Sequence, residues 1–557
     1  MEASAHGISI GNWEEVGVRV AELRRRAGLS RKALAKQLDI SLWTLEEVEN
    51  GRKDAGPYAD SITRVLGLPL KLEVTTVRSS EFAEAPSAPD SFATRAREVV
   101  RPPSGRELVL GSIALLVLIR FFTEVVPIVP RAGNVIDIPI LTVLAIAAMA
   151  RGRQALGNGY IAVALPAAVF FGICALSAML NLSRVAPGPV LVFIYGFLSP
   201  LAVYAAVYRL WPPGNAISMS RLFVWLGVVQ LAVVFTIDLP KFIVSGDPDV
   251  ISGTFGTNQY QFVFFLLLFT GLIAGIFTAE PRRLAARAAP VLVLLALASI
   301  LLAQYRALLV TTAVSLLLVA ALLSKRRRGV ISAAVVLISF VIALGYVTTH
   351  FPALHFGTTI ATLAHKPGFY LSQRMEVARP VAHLYTDDPT FIPLGTGPGT
   401  FSSRGWQTFA LARSTSRSNA VGPYVSALTG GHVYHTDVSD KYVLPQRGIV
   451  VQGSGQLRSP QFEYVSLLAE VGVFGFLMIL AVYVLAAVRS VRQAATALSR
   501  ATPGDPLPAL LIASAVAFTA LLQMGFLDNW LEVTRLTFVS WALLAVAQKE
   551  LDSREGQ

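Results

Sequence analysis

Cysteine is almost missing from this chain: Cys174 is the only one in 557 residues, so no intramolecular disulfide can form even where a loop reaches an oxidising compartment. Charge is scarce too. Asp, Glu, Lys and Arg make up 15% of the residues and apolar types 54%, with a mean hydropathy of +0.58, whereas a soluble domain carries about 25% charged residues. That imbalance excludes a wholly soluble protein, because the surplus apolar side chains must face lipid. The opening residues, MEASAHGISIGNWEE, show no basic stretch leading into an apolar run, so no cleavable signal is expected and the N-terminus is expected to stay in the cytoplasm. Metal-ligand patterns are wanting as well. His432 and His435 in GGHVYHTD have a usable spacing, but no further cysteine or histidine at a characteristic distance joins them, so no metal and no cofactor is expected.

What is present falls into two unlike parts. Residues 1 to 106 are rich in Arg, Lys, Glu and Ser, and the long apolar runs begin at Glu107. The net charge of +12 sits largely in short basic clusters between apolar segments, where it reports membrane orientation before it reports nucleic acid. Within Asn12 to Leu70 the apolar positions follow four short helical patterns: Val16, Val20 and Leu23; Leu34, Ala35 and Leu38; Leu45 and Val48; Ile62, Val65 and Leu66. Each set lies on one helix face, and Ser41 is placed to cap the third helix. About sixty residues suffice for a minimal core.

The stretch GLSRKALAKQLDISLWTLEEVENGR, Gly28 to Arg52, resembles the helix-turn-helix of phage-repressor and Cro-type regulators, with Ala35, the turn Asp39-Ile40-Ser41 and Glu49-Asn50-Gly51 where that family has them. The resemblance implies a domain over 1–75 whose third helix would enter the major groove. Arg31, Ser41, Trp43 and Thr44 are then the candidate DNA contacts, with Arg24, Arg25, Arg26 and Lys32 available to the backbone. Glu46 and Glu47 on the same helix would repel phosphates, so a protein-interaction module remains the other reading. Residues 76–106, full of Ser, Ala and Pro without a period, read as a flexible linker.

A hydrocarbon core about 30 Å thick takes roughly twenty apolar residues of helix, and about twelve such segments follow, nine over 107–349 and three over 462–550. The fold class is therefore all-α, a polytopic helical bundle, since lipid leaves no open backbone group satisfied. With the N-terminus inside, alternate connections should be basic. They carry Arg151 and Arg153; Arg209 and Arg221; Arg282, Arg283 and Arg287; Lys325 to Arg328; and Arg489, Arg492 and Arg500. This places residues 350–461 outside as one long extracytoplasmic loop, and the C-terminal tail, 551–557, on the cytoplasmic side of the inner (cytoplasmic) membrane. A loop of that size is where function is expected. A transporter is disfavoured, because no inverted repeat is evident.

Four stretches on the expected outer side stand out: GTFGTNQ at 253–259, QYRALL at 304–309, RMEVARPVAHLYTDDPTFIPLGTGPGTF at 374–401 and EYVSLLAEVGVFG at 463–475. In order and sidedness they resemble the O-antigen ligase and O-antigen polymerase superfamily, which moves lipid-linked glycans on the outer face of the inner membrane. The resemblance implies an enzyme that takes a polyprenyl-diphosphate-linked glycan and a lipid or glycan acceptor. An acceptor hydroxyl attacks the anomeric carbon, so the site must neutralise the departing diphosphate and accept a proton. Arginine suits the first task, being always charged and able to grip two phosphate oxygens. By this resemblance Arg374 and Arg306 are the diphosphate clamps, and Asn258, Gly397, Gly399, Gln461 and Arg458 are expected to bind substrate. Where ligases of the family carry a histidine this chain has Gln461, which cannot be a general base, so polymerase is placed ahead of ligase. Glu463 is the first candidate base. Asp387, Asp388, His432, His435 and Asp437 are alternatives, Glu470 reads as a packing or loop-anchoring carboxylate, and Arg120, inside the first span, matches no role. The competing reading of the whole chain is a membrane-tethered helix-turn-helix regulator or scaffold sensing an extracytoplasmic ligand.

Overall fold

A computed structural model describes residues 13–38, 40, 42–49, 65, 103–129, 136–151, 158–256, 258–279, 284–303, 307–324, 327–351, 378–410, 436–443, 463–502, 504–526 and 531–555. Everything regular among them is helical, as composition and periodicity predict. The chain divides into two compact units, Met1–Arg101 and Pro102–Gln557.

In the first unit, α1 (Trp13–Arg26), α2 (Arg31–Gln37) and α3 (Leu42–Glu49) enclose Val20, Leu34, Ala35, Leu38 and Leu45, with Leu29, Ile40 and Val65 packed against them. The start of α2 is fixed locally: Ser30 is its N-cap, accepting the Ala33 N–H at 3.1 Å, an interaction of about 1 kcal/mol. Gly28 turns the chain between α1 and α2 at φ +66°, a region a side chain rarely adopts. Ser41 and most of the expected fourth helix lie outside the described residues.

The second unit runs α4 (Gly105–Arg120), α5 (Asp137–Ala150), α6 (Asn158–Leu180), α7 (Pro187–Leu210), α8 (Ala216–Val233), α9 (Leu239–Ser245), α10 (Gln259–Ala279), α11 (Leu284–Leu302), α12 (Ala307–Leu323) and α13 (Arg327–His350). After residue 377 come the short α14 (Phe391–Leu394) and α15 (Arg404–Ala410), then α16 (Glu463–Arg500), α17 (Leu507–Met524) and α18 (Thr534–Glu555). Where about twelve spans were expected, eight helices among the described residues are long and apolar enough to cross a membrane. Asp137–Ala150, Ala288–Leu302 and Thr311–Leu323 are apolar but shorter, and α18 ends in the charged residues Lys549, Glu550, Asp552 and Arg554.

Two helices form the centre. In α10 and α17 five-sixths of the apolar window is buried, and small residues bring them together: a Cβ on Gly275 of α10 would stand 2.6 Å from the Cα of Ala509 on α17. Close backbone approach at small residues is how membrane helices gain contact without a hydrophobic drive. Around this centre the exposed apolar side chains, such as Ile146, Leu165, Leu191, Trp225 and Val341, point to lipid.

The bundle has two polar ends. At one, the capping box of Ser104 and Glu107 opens α4, Arg151 donates to the Leu210 carbonyl at 2.7 Å, Glu550 accepts from Trp211 Nε1, Gly214 N and Asn215 N, and Arg554 grips Asp505 with two bonds of 2.8 and 2.9 Å. The chain reaches the opposite end at Glu124, Asp137, Asn181, Asp238, Glu463 and Glu532. There a second apolar cluster, including Leu384, Phe391, Phe401 and Trp406 from residues 378–410, rests on Val465 and Ala469 of α16.

Candidate functional site

The second polar end is built around two glycine-rich turns, each tied from beneath by a buried carboxylate. The first follows α9. Asp238, 3% exposed, accepts the N–H groups of Ser252 and Gly253 at 3.0 and 2.7 Å, while Gln230 accepts the Thr254 N–H at 2.8 Å and donates to its hydroxyl. Gly256, at φ +63°, lies so close to Glu124 that a Cβ would collide with its carboxylate. Asn258 ends the turn, its amide 3.4 Å from the Phe255 carbonyl, and its own carbonyl accepts from Gln261 at 3.1 Å as α10 starts.

The second turn, residues 395–403, wraps Glu470. That side chain has no exposed surface. Its Oε1 accepts from Phe401, Ser402 and Ser403 at 2.9, 3.0 and 3.0 Å, and its Oε2 from Gly399 at 2.6 Å. The backbone adds Thr396 N to Ala469 O at 2.8 Å and Gly397 N to Glu470 O at 2.9 Å, and Asn181 Nδ2 holds the Gly395 carbonyl at 3.2 Å. For the turn to lie this close α16 must break. It does so at Gly472 (φ +66°, ψ −174°), where a Cβ would stand 2.5 Å from the Pro393 carbonyl carbon and oxygen. The glycine turn and the Glu-Val-Gly of α16 are thus one interlocking unit. Gly397 and Gly399, expected to bind substrate, give their N–H groups to the Glu470 carbonyl and carboxylate.

The start of α18 joins the two turns. Glu532, 4% exposed, accepts the backbone N–H of Arg404 and lies 3.4 Å from where a Cβ on Gly196 would be. Glu463, at the start of α16, is fully buried as well. One turn on, Arg535, 5% exposed, interacts electrostatically with Arg120, Glu124, Asp137 and Tyr260. Arg120 in turn pairs with Glu124 at 3.1 Å, and Tyr195 donates to Asp137 at 3.3 Å. Charges this deep in a bundle are costly unless matched, and Arg535 has Glu124 and Asp137 as the acids of its surroundings.

Of the expected site residues, Glu463 stands in this layer and Asn258 at its edge. Arg306, Arg374, Gln461 and Arg458 lie outside the described residues, as do His432 and His435. The alternative bases of the loop are engaged elsewhere. Hydrogen bonds from Lys441 and Tyr442 hold the Asp387 carboxyl below its usual range, those from the Thr390 hydroxyl and N–H do the same to Asp388, and Asp437 pairs with Arg184 at 3.0 Å. A carboxylate made more acidic is a poorer base. Sequence reasoning missed Glu532, Arg535, Glu124, Asp137 and Asp238. Its one available signal was charge inside or beside apolar runs, as in the Arg120/Glu124 pair four residues apart and LEVTRLTF at 531–538. Among the described residues no group of His, Cys, Asp and Glu is arranged to hold a metal.

In the N-terminal unit, Glu49 is the centre. It is 4% exposed and takes Nε of Arg24 and Nε of Arg31, the latter at 2.8 Å, with Glu46 3.7 Å from Arg31. Burial acts to raise the Glu49 carboxyl, but the two arginines outweigh it and leave it below the usual range. Arg31, a candidate DNA contact, is therefore held by acids while 44% of its side chain stays exposed. Thr44 is buried, and Ser41 and the Trp43 side chain are outside the described residues. A helix-turn-helix domain family matches residues 15–73, which accords with the three-helix core and with DNA binding. No curated protein matches the chain.

Proposed function

We propose that the membrane unit is a glycosyltransferase of the O-antigen ligase and polymerase kind, transferring polyprenyl-diphosphate-linked glycans to a lipid or glycan acceptor on the outer face of the cytoplasmic membrane, with both chain termini cytoplasmic. One observation carries this reading: three stretches that resemble the superfamily, around 253–259, 395–401 and 463–475, lie at the same end of the bundle, the first tied by Asp238 and the other two interlocked through Glu470. Membrane proteins seldom retain ionisable groups in such a position without a functional demand.

In the proposed reaction Arg306 and Arg374 bind the diphosphate, Gln461 and Arg458 help seat the glycan, and Glu463 takes the acceptor proton. Gly397, Gly399 and Asn258 shape the turns. The test is Arg374→Ala and Arg306→Ala in the native host. Each is expected to lower surface-polysaccharide length or attachment on the order of 100-fold, the usual cost of removing a charge-stabilising group. Unchanged polysaccharide in both variants removes the assignment.

The family match to residues 15–73 favours a second reading, a membrane-tethered helix-turn-helix regulator or scaffold that senses an outer ligand. The full-length protein in detergent, titrated with duplex DNA over a range of salt, separates them. A steep salt dependence supports a regulator, and no binding supports a protein partner in the cytoplasm.

A further inference from the structure

Arg184 stands in the turn between the spans of α6 and α7, NLSRVA at 181–186, and is the only charged residue of that turn. The turn lies at the end of the bundle that carries residues 395–403, and on the sidedness proposed above it faces outward, where short connections hold few arginines. Its guanidinium is held from three elements. Nη1 donates to Asn181 Oδ1 at 3.2 Å, Nε donates to Asp437 Oδ2 at 3.0 Å, and the central carbon of the group lies 5.1 Å from the centre of the Phe391 ring. Asn181 is itself fixed, its Nδ2 donating to Ser177 O at 2.9 Å and to Gly395 O at 3.2 Å. A Cβ on Gly397 would collide with Val185. The arginine is thus oriented by contacts that lead into the glycine turn around Glu470.

Its acidic partner is held only loosely. The side chain of Arg184 is 33% exposed and that of Asp437 61%, and an ion pair open to water contributes little. A diphosphate carries more charge than one carboxylate, and its oxygens match the planar fork of a guanidinium. Other cations at this end lack that combination of fixed orientation and an open flank: Arg120 pairs with Glu124, Lys441 pairs with Asp387, and Arg535 is 5% exposed.

We propose that Arg184 is a binding residue for the diphosphate of a lipid-linked ligand, and that Asp437 is its resting counter-ion, exchanged for that diphosphate on binding. The ligand class rests on the glycosyl-transfer reading. The exchange asks little of the fold. Asp437 belongs to a strap, residues 436–443, which Thr436 ties to Thr400 O at 2.8 Å and which Lys441 and Tyr442 tie to Asp387, each at 2.7 Å. These bonds persist when the Asp437 carboxylate turns away, so the strap stays where it is.

The experiment titrates inorganic pyrophosphate into the purified full-length protein in nanodiscs of zwitterionic lipid, followed by calorimetry. The wild type is expected to bind. Arg184→Ala and Arg184→Lys are each expected to weaken binding about tenfold or more, the lysine because it lacks the fork. Asp437→Asn is expected to tighten it several-fold, and a gain cannot come from a damaged fold, so this variant decides the matter if an Arg184 variant is unstable. No binding by the wild type, unchanged affinity in Arg184→Ala, or an affinity in Asp437→Asn at or below that of the wild type overturns the proposal. Polyprenyl diphosphate added to the nanodisc lipid is expected to suppress pyrophosphate binding, and phosphatidylglycerol to leave it unchanged. Suppression by phosphatidylglycerol, or none by polyprenyl diphosphate, overturns the lipid-linked diphosphate as ligand in favour of a phospholipid headgroup or a soluble anion. If pyrophosphate binding responds as expected while polysaccharide is unaffected by Arg306→Ala and Arg374→Ala, Arg184 stands and the glycosyl-transfer reading falls. Loss of polysaccharide in those two variants, with binding unmoved by Arg184→Ala, does the reverse.

Discussion

Glu470 is one residue whose removal should be felt along a whole turn. Its two oxygens satisfy four backbone N–H groups, and each buried donor left without a partner costs about 1–3 kcal/mol. Glu470→Ala is therefore expected to destabilise the purified protein by at least about 3 kcal/mol, read as a lowered Tm, with faster proteolysis within residues 378–410. An unchanged Tm would mean that the turn is held by something else. The sequence offered Glu470 as a packing or loop-anchoring carboxylate only through the resemblance of EYVSLLAEVGVFG, and its four bonds to the turn make it an anchor. The hold of Glu532 on the Arg404 backbone was not readable, because the two stand 128 positions apart along the chain and nothing local relates them.

At the scale of the element, α16 shows how one backbone angle decides a site. A helix interior disfavours glycine by about 1 kcal/mol, so EVGVFG reads as a weak point in a span. The structure uses it as a joint: at φ +66° Gly472 lets the 393–403 turn lie against the helix. Gly472→Ala is expected to cost about 1–3 kcal/mol from backbone strain alone, with added loss as Pro393 is displaced, measured as a Tm shift and as increased hydrogen exchange over 395–403. The N-terminal unit offers a titration instead. Arg24 and Arg31 hold the Glu49 carboxyl low, so its contribution is present above the unfolded carboxyl pKa, near 4.3, and is lost as pH falls through the folded value. Thermal unfolding of that unit is expected to move to lower temperature between about pH 5 and pH 3, and Glu49→Gln to flatten that dependence while lowering stability at neutral pH. No difference between the two proteins would show that the arginines bind Glu49 too weakly to matter. Here periodicity revealed Leu34, Ala35, Leu38 and Leu45 as core. It could not show that Arg31 is held by Glu49 and Glu46, since a basic residue looks equally free on any exposed face.

For the whole molecule, the expected sidedness of the membrane unit leads to a direct measurement. With Cys174→Ala removing the only native thiol, Asp387→Cys is expected to react with a membrane-impermeant maleimide in intact cells, and Ser553→Cys only after permeabilisation. The opposite pattern would put residues 378–410 in the cytoplasm and end the glycan proposal. Sequence by itself determined that the chain is helical and rich in membrane spans, and that a small helix-turn-helix unit precedes them. Apolar excess, 3.6-residue periodicity and glycine placement act over a few neighbouring residues, so they can be seen in a line of letters. Among the described residues eight helices are long and apolar enough to cross a membrane, beside the twelve or so segments that hydropathy marks along the sequence. Only the tertiary structure decided that Arg535 lies among Arg120, Glu124 and Asp137, and that Glu532 holds the backbone of Arg404. Those side chains come from elements that meet only once the bundle has folded, and the low dielectric that gives their charges weight exists only inside it.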